Sequence, residues 1–528
     1  MKKLILFGAS KMGKEIGEAL GLPIYYFIDN DPEKWGKKIL NKNIKSPQEL
    51  LDEDRDDVII GITSSYYNEI SSQLKTLGFN ENKDFFDLRD IHNVKGKETI
   101  EKVKSIILKI IEDTLDLNKS YDTIATTKRI SILGITNIEL WDLFVRNNTN
   151  LIYIESYIDF NEKCQYELVV KRDYHSTNYR GINLYEVAIF NVCNELCIME
   201  KEFCIDDVNH YNVLKKYYEK AIKYIDAAYS ILERGKVSKS LLFHGYDVIS
   251  NVMRKVSIIN DIDTYTFEVT LNKEKIIWDN VSCIPTNKNL AKNYFWRYES
   301  LIDDGICENY RKKFLLDVKN KKINEHISSN NQLNKPKGKK TILFLAQVYV
   351  DSSIIFGINN FRTPIHLIND IIEYSLNNDL ELIIKLHPSE TYSEYLKDRE
   401  LTYKKLIKSK FAEEITNNHN IILDHDNKYD TYSLIDRADV CVTINSQAGL
   451  ESLLKGKEVI LCGESFYGGL GFTYDAYDKQ DLYFYFDRII LKENRRNNIR
   501  RISKFFYIFN EFYCINKNAL SILELLKR

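Results

Sequence analysis

Residues 440–473, VCVTINSQAGLESLLKGKEVILCGESFYGGLGFT, restrict the fold more than any other stretch of the chain. Apolar residues at alternate positions (Val440, Val442, Ile444) read as a buried strand. Asn445 and Ser446 follow at once, and both residue types cap helices by accepting from free backbone N–H groups. Leu450, Leu453 and Leu454 then share one face of a helix that Gly456 ends. A second strand and a glycine-rich loop complete the run. A strand that feeds a helix in this way aims the helix's unpaired N–H groups and positive dipole end beyond the strand's carboxyl end. That arrangement belongs to a doubly wound α/β unit and suits an anion such as phosphate.

With 528 residues the chain is long enough for three domains, each burying its own core. Lys+Arg 74 against Asp+Glu 76 leaves a net charge of −2, so no bulk positive field points to a nucleic-acid partner. The basic runs Lys335–Lys340 and Lys492–Arg501 read as linkers or solvated faces, the second also being suited to an anionic acceptor or a membrane surface. No apolar run reaches the roughly 18 residues of a membrane span, and MKKLILFGAS opens a strand rather than a signal peptide. The 9 cysteines form no CxxC pair, and Cys193, Cys197 and Cys204 lack a histidine at ligand spacing. Buried free thiols, no metal site and a reducing, cytoplasmic location are therefore expected.

Along the chain, strand-and-helix alternation recurs three times. In residues 1–95, LILFGAS, IYYFIDND (24–31) and DVIIGIT (57–63) read as strands. Gly8, Gly13 and Asp29 follow the dinucleotide fingerprint, with Ser10 in place of its middle glycine and Asp29 positioned for a ribose. This module, through FIDNDPEKWGK, resembles the Rossmann-like N-terminal modules found ahead of bacterial sugar-modifying and glycan-assembly enzymes, and either holds a nucleotide or serves for docking. Residues 96–335 carry a helical stretch at Glu98–Leu117, strands at 130–136, 151–156 and 239–245, and helices at Leu184–Leu196 and His210–Leu232. The polar segment 323–340 reads as a linker. Residues 338–490 repeat the rhythm with strands at 341–348, 381–388 and 421–424 and helices at Thr363–Tyr374 and Tyr432–Arg437. The aromatic helices of 491–528 are expected to pack back across the preceding domain.

Three clusters in 338–490 lie at strand ends, where ligands of doubly wound sheets collect. They are Gln347 with Asp351 and Ser352; Lys385 with His387 and Pro388; and Asn445, Ser446, Gln447 and Glu451 with Tyr467 and Gly468. A nucleotide-sugar donor needs its phosphate charge stabilised as the glycosidic bond breaks, and helix N-termini, a lysine and an imidazolium supply this without a metal. His387, which titrates near neutrality, is the natural donor to the leaving phosphate.

QVxxDSS, KLHP and NSQAGLExLLxGKxVxxxGxxFYGGLGFT, in that order, resemble the capsule polysaccharide biosynthesis family, which includes bacterial β-Kdo transferases. The likeness spans roughly 340–480. It implies a GT-B fold, that is, two facing Rossmann-like domains, here with an extra N-terminal one. It implies a CMP-sugar such as CMP-Kdo as co-substrate and no required cofactor. His387-Pro388 and Asn445-Ser446 would hold the cytidine monophosphate, Glu451 would anchor the ribose, and Gln347 and Asp351 would form the turn at the cleft. The acceptor would be a glycan or lipid-linked glycan, met at the inner membrane face within a capsule assembly complex. The catalytic base is expected from the facing domain, with Glu268 and Asp247 as candidates and Glu186 behind them. A CDP-glycerol or polyol-phosphate transferase, a UDP-sugar transferase and a non-catalytic scaffold are the alternative readings.

Overall fold

A computed structural model of the chain describes residues 3–20, 24–81, 84–89, 122–127, 149–154, 173–235, 237–280, 288–324, 333, 338–491, 498–518, 521–522 and 524. The helix expected at Glu98–Leu117, the strand at 130–136 and most of the 323–340 linker lie outside these residues. The class is α/β, as expected: three sheets have six strands each.

The N-terminal sheet contains β1 (Lys3–Phe7), β2 (Ile24–Ile28), β3 (Lys38–Ile39), β4 (Lys42–Lys45), β5 (Val58–Ile62) and β6 (Phe85–Asp87) in the order β3-β4-β2-β1-β5-β6. It is flanked by α1 (Lys11–Leu20) and α2 (Tyr67–Thr76). The middle sheet contains β7 (Asp122–Thr126), β8 (Thr149–Tyr153), β9 (Val237–Phe243), β10 (Asp263–Val269) and β11 (Lys275–Asp279). Its helices are α3 (Leu184–Leu196), α4 (Val208–Gly235) and α5 (Val248–Ile259). After α6 (Asn289–Tyr298) and α7 (Asp304–Asn324) comes the third sheet: β12 (Thr341–Leu345), β13 (Glu381–Lys385), β14 (Ile421–Asp424), β15 (Val440–Thr443), β16 (Glu458–Leu461) and β17 (Tyr474–Asp475). Helices α8 (Ser352–Ile355), α9 (Pro364–Asn377), α10 (Pro388–Tyr392), α11 (Thr431–Arg437), α12 (Gln447–Leu454) and α13 (Lys479–Phe486) accompany it.

Every pairing in the third sheet is parallel. Every residue of β12, β13, β15 and β16 is buried. Such runs carry no polar alternation because helices cover both faces, and each buried Leu or Ile contributes about 1.5–3 kcal/mol relative to exposure. The order β14-β13-β12-β15-β16-β17 reverses direction between β12 and β15. At that reversal the crossovers diverge to opposite faces and open a crevice at the strands' carboxyl ends.

The chain's end returns to the middle sheet. Helix α14 (Ile499–Ile508) buries Ile502, Phe505, Phe506 and Ile508, with Phe505 meeting Phe295 of α6 edge-on. Beyond it β18 (Ile515–Asn516) pairs antiparallel with β11, giving the middle sheet the order β18-β11-β10-β9-β7-β8. Among the described residues no helix is long and apolar enough to cross a membrane. Cys193 and Cys197 are buried free thiols, but Cys204, expected to be buried with them, is exposed.

Candidate active site

A cleft of about 990 Å³ lies between the middle and third sheets. Its third-sheet wall gathers Gln347, Asp351, Ser352, Lys385, His387, Pro388, Asn445, Ser446, Gln447 and Glu451, and its opposite wall includes Phe243, His244, Tyr246 and Glu268. Gln347 and Asn445, 98 positions apart in sequence, meet here because β12 and β15 are neighbours at the sheet's reversal.

The floor is a side-chain lattice. Gln347 donates through Nε2 to Ser353 Oγ (2.7 Å) and Asn445 Oδ1 (2.9 Å), while its Oε1 accepts from Asn445 N–H (3.2 Å). Asn445 Nδ2 donates to the Ser353 carbonyl (2.6 Å), and Asp351 Oδ1 accepts from Ser353 N–H (2.8 Å) and Oγ–H (2.6 Å). Gln347 and Asn445, expected as ligand contacts, therefore have their amides engaged in tying the β12 turn to the β15 end. Their part is to fix the positions of their neighbours.

Ser446 is the N-cap of α12, its Oγ accepting from Ala448 N–H (3.1 Å). Its hydroxyl proton has no acceptor among the described residues. The N–H of Gln447, the first residue of α12, has no acceptor among the described residues, and both residues face the cleft. An unpaired N–H at a helix start, with the dipole behind it, is a site of anion affinity. Tyr467 does not join this wall. It is fully buried, and its hydroxyl donates to the Ser446 carbonyl from behind. Gly468 is likewise absent from the lining, so neither residue makes the expected donor contact, and Tyr467 instead supports the α12 start.

His387 is the N-cap of α10, with Pro388 at its first position, where the missing N–H costs nothing. Its Nδ1 accepts from Ser389 N–H at 3.2 Å. That bond requires an unprotonated Nδ1, so the neutral ring carries its proton on Nε2. Burial pushes the imidazole below its ordinary pKa, with the Asp351 carboxylate opposing. The expected imidazolium is thus a neutral imidazole, a hydrogen-bond donor through Nε2.

Lys385 is also corrected. It borders the cleft and is buried, yet its ammonium contacts the Asp424 carboxylate at 2.7 Å and donates to the Tyr429 carbonyl at 3.0 Å. It is a structural ion pair at the end of β13, since moving it would strand a buried carboxylate. Glu451 does face the cleft, and its carboxylate accepts from the Tyr432 hydroxyl, which together with burial raises the phenol's pKa.

Of the candidate bases, Glu268 lines the cleft at the end of β10. Asp247 does not; it is buried and caps α5 through Ser250 N–H at 3.3 Å. Glu186 stands in the first turn of α3 in an ion pair with Lys255 at 2.6 Å. Sequence reasoning passed over His244, which lines the cleft with φ +37° and stacks on Tyr246 at 3.7 Å. A non-glycine residue in that backbone region marks local constraint. Tyr246 is driven well above the ordinary phenol range by burial, then by the Glu268 and Asp351 carboxylates. Lys288, also unmarked by the sequence, lies on the wall beside Glu464.

In the N-terminal module Asp29 Oδ2 accepts from Ala9 N–H at 2.8 Å and meets Lys34 Nζ at 3.1 Å. The carboxylate expected to hold a ribose instead closes the loop. Gly8 has φ +123°, and a Cβ on Gly13 would come within 1.9 Å of the Gly8 carbonyl oxygen. Ser10 Oγ accepts from Gly13 N–H at 3.4 Å. The positive φ accounts for Gly8, and close packing of helix on strand for Gly13. Among the described residues no group of His, Cys, Asp or Glu side chains is placed to hold a metal ion.

Residues 295–482 match the model of the family described as capsule polysaccharide biosynthesis protein, and residues 1–85 match a C2185-like N-terminal model. A curated relative, the lipopolysaccharide-processing protein LpsZ of Rhizobium meliloti, is 29% identical over 145 residues, 26% of this chain and 28% of LpsZ. Among solved structures, the β-Kdo 2,7 transferase of Thermosulfurimonas dismutans KpsC is 18% identical, with a TM-score of 0.36 over 58% of this chain and 89% of that one. Its β-Kdo 2,4 transferase is 18% identical, with a TM-score of 0.34 over 53% and 82%. The UDP-GlcNAc 2-epimerase of Methanocaldococcus jannaschii is 14% identical, with a TM-score of 0.31 over 62% and 96%.

Proposed function

We propose that this chain, whose residues 295–482 match the capsule polysaccharide biosynthesis family, is a GT-B glycosyltransferase of cell-surface polysaccharide assembly. Its donor is a CMP-activated sugar such as CMP-Kdo, its acceptor a glycan or lipid-linked glycan hydroxyl, and its charge stabilisation comes from protein groups.

One observation carries the reading. The Ser446 hydroxyl, the Gln447 N–H (without an acceptor among the described residues) and the His387 ring share one cleft with a carboxylate, Glu268, on the facing wall. In the reaction the bond between the anomeric carbon and the phosphate oxygen breaks, and its electron pair leaves with CMP. Donors aimed at that oxygen stabilise the developing charge most, because in a water-excluded cleft they need not reorganise. Gln447 N–H, Ser446 Oγ–H and His387 Nε2–H fill this role, and Glu451 holds the ribose. Glu268 takes the acceptor hydroxyl's proton as the new carbon–oxygen bond forms.

A thermal-shift panel of CMP, CDP, UMP, UDP, GDP and NAD tests the donor class. A ligand at 100 times its Kd stabilises the folded state by about 2.7 kcal/mol. CMP or CDP should raise the Tm most; a larger response to UDP would overturn the cytidine assignment, and silence from all six would overturn the nucleotide reading.

A further inference from the structure

Lys288 immediately precedes α6 and faces the cleft. Its Nζ is sealed from solvent and has no hydrogen-bond partner among the described residues. Native proteins rarely leave a buried ammonium in this condition, because its desolvation goes uncompensated. Lys385, which lines the same cleft, shows the usual solution: an ion pair and a carbonyl. Lys288 has neither.

Its surroundings fit an incoming anion. A Cβ added at Gly357 would lie 2.9 Å from Lys288 Nζ and 2.8 Å from Asn445 Nδ2, so the ammonium and the residue next to Ser446 border the same glycine. The bare glycine keeps that approach open. Two charged groups bear on the ammonium: Glu464, on the loop after β16, favours its charge, and Lys292, one turn along α6, opposes it. Burial outweighs Glu464 and, with Lys292 acting in the same direction, pulls the pKa down to about 8. The group therefore stays largely charged at neutrality, and a bound dianion would raise its proton affinity.

We propose that Lys288 is the cation that receives the donor's phosphate, completing a site whose other members are the amino end of α12 and the His387 ring. The inference rests on the nucleotide-donor reading and adds to it a residue that precedes the family-matched segment.

The test is calorimetric titration of the native protein, Lys288→Met and Lys288→Arg with CMP, cytidine and inorganic phosphate. Losing one charge-assisted contact should weaken CMP binding to Lys288→Met by about 10–100-fold, with Lys288→Arg retaining part of the affinity. Cytidine, which has no phosphate, should bind all three proteins alike. From pH 7.5 to 9.5 native affinity for CMP should fall as the ammonium loses its proton, and the Met variant should lack that component. The Tm of unliganded Lys288→Met should equal or exceed the native value, because an unpaired charge has been removed. CMP binding to Lys288→Met as tight as to the native protein, or a large fall in its Tm, would overturn the proposal. Phosphate binding that depends on Lys288, with no nucleotide bound, would uphold the anion site and sink the donor reading. Failure of the native protein to bind CMP or phosphate would sink both.

Discussion

At the scale of single residues, the charge and proton state of each side chain decide what the cleft can do. His387 is held neutral by burial, with its proton fixed on Nε2 by the Ser389 N–H bond to Nδ1. Its folded pKa lies below the unfolded value of about 6.5. The unfolded chain therefore binds the proton first, and His387's contribution to stability is complete above about pH 6.5 and declines as pH falls from there toward the folded pKa. Replacing His387 by alanine should lower turnover by about 10²-fold or more while the fold survives. It should also remove that part of the acid-side decline in Tm; unchanged turnover would refute the role. The motif positions were legible in the sequence, because KLHP and INSQ sit at strand ends. Their side-chain duties were not. Lys385 and His387 are two residues apart, and only the tertiary pairing with Asp424 shows that the lysine is engaged elsewhere. Lys288 carried no local signal, since its isolation is a property of the folded cleft.

At the scale of elements, α12 is the centre of the site, and a buried tyrosine sets where it starts. The Tyr467 hydroxyl holds the Ser446 carbonyl, and Gly449 leaves room for that ring: a Cβ there would stand 2.3 Å from Tyr467 Oη and 2.9 Å from Thr443 Cγ2. Gly449→Ala should therefore destabilise the protein by about 1–3 kcal/mol through overpacking, although alanine is the better helix former. A denaturant midpoint equal to the native one would contradict this packing. Most elements were legible. The helix read at Leu184–Leu196 has those bounds in the structure, and the strands read at 341–348 and 381–388 end earlier, at Leu345 and Lys385, where the backbone turns into the cleft. Apolar runs between capping residues and glycines suffice for this. The GxSxxG spacing of the first loop was misleading in its chemistry, because Asp29 reads the same in sequence whether it faces a ribose or its own loop. The Gln347–Asn445 lattice was hidden for a different reason: it joins two strand ends brought together only by the parallel pairing of β12 and β15.

At the scale of the whole molecule, the proposed reaction draws on two walls that come from different sheets. Ser446, Gln447 and His387 belong to the third-sheet wall and Glu268 to the middle one, and one apolar cluster joins Ile277 of β11 with Phe295, Leu450 and Phe505. The return of the chain end to the middle sheet, through a strand of two residues, had no sequence signature, because so short a pairing depends on where α14 delivers the backbone. The most direct test of the central claim is a crystal structure with CMP. The account predicts the phosphate within hydrogen-bond distance of Gln447 N–H, the Ser446 hydroxyl and His387 Nε2. A nucleotide bound instead in the N-terminal module, or with its phosphate turned away from the start of α12, would contradict it.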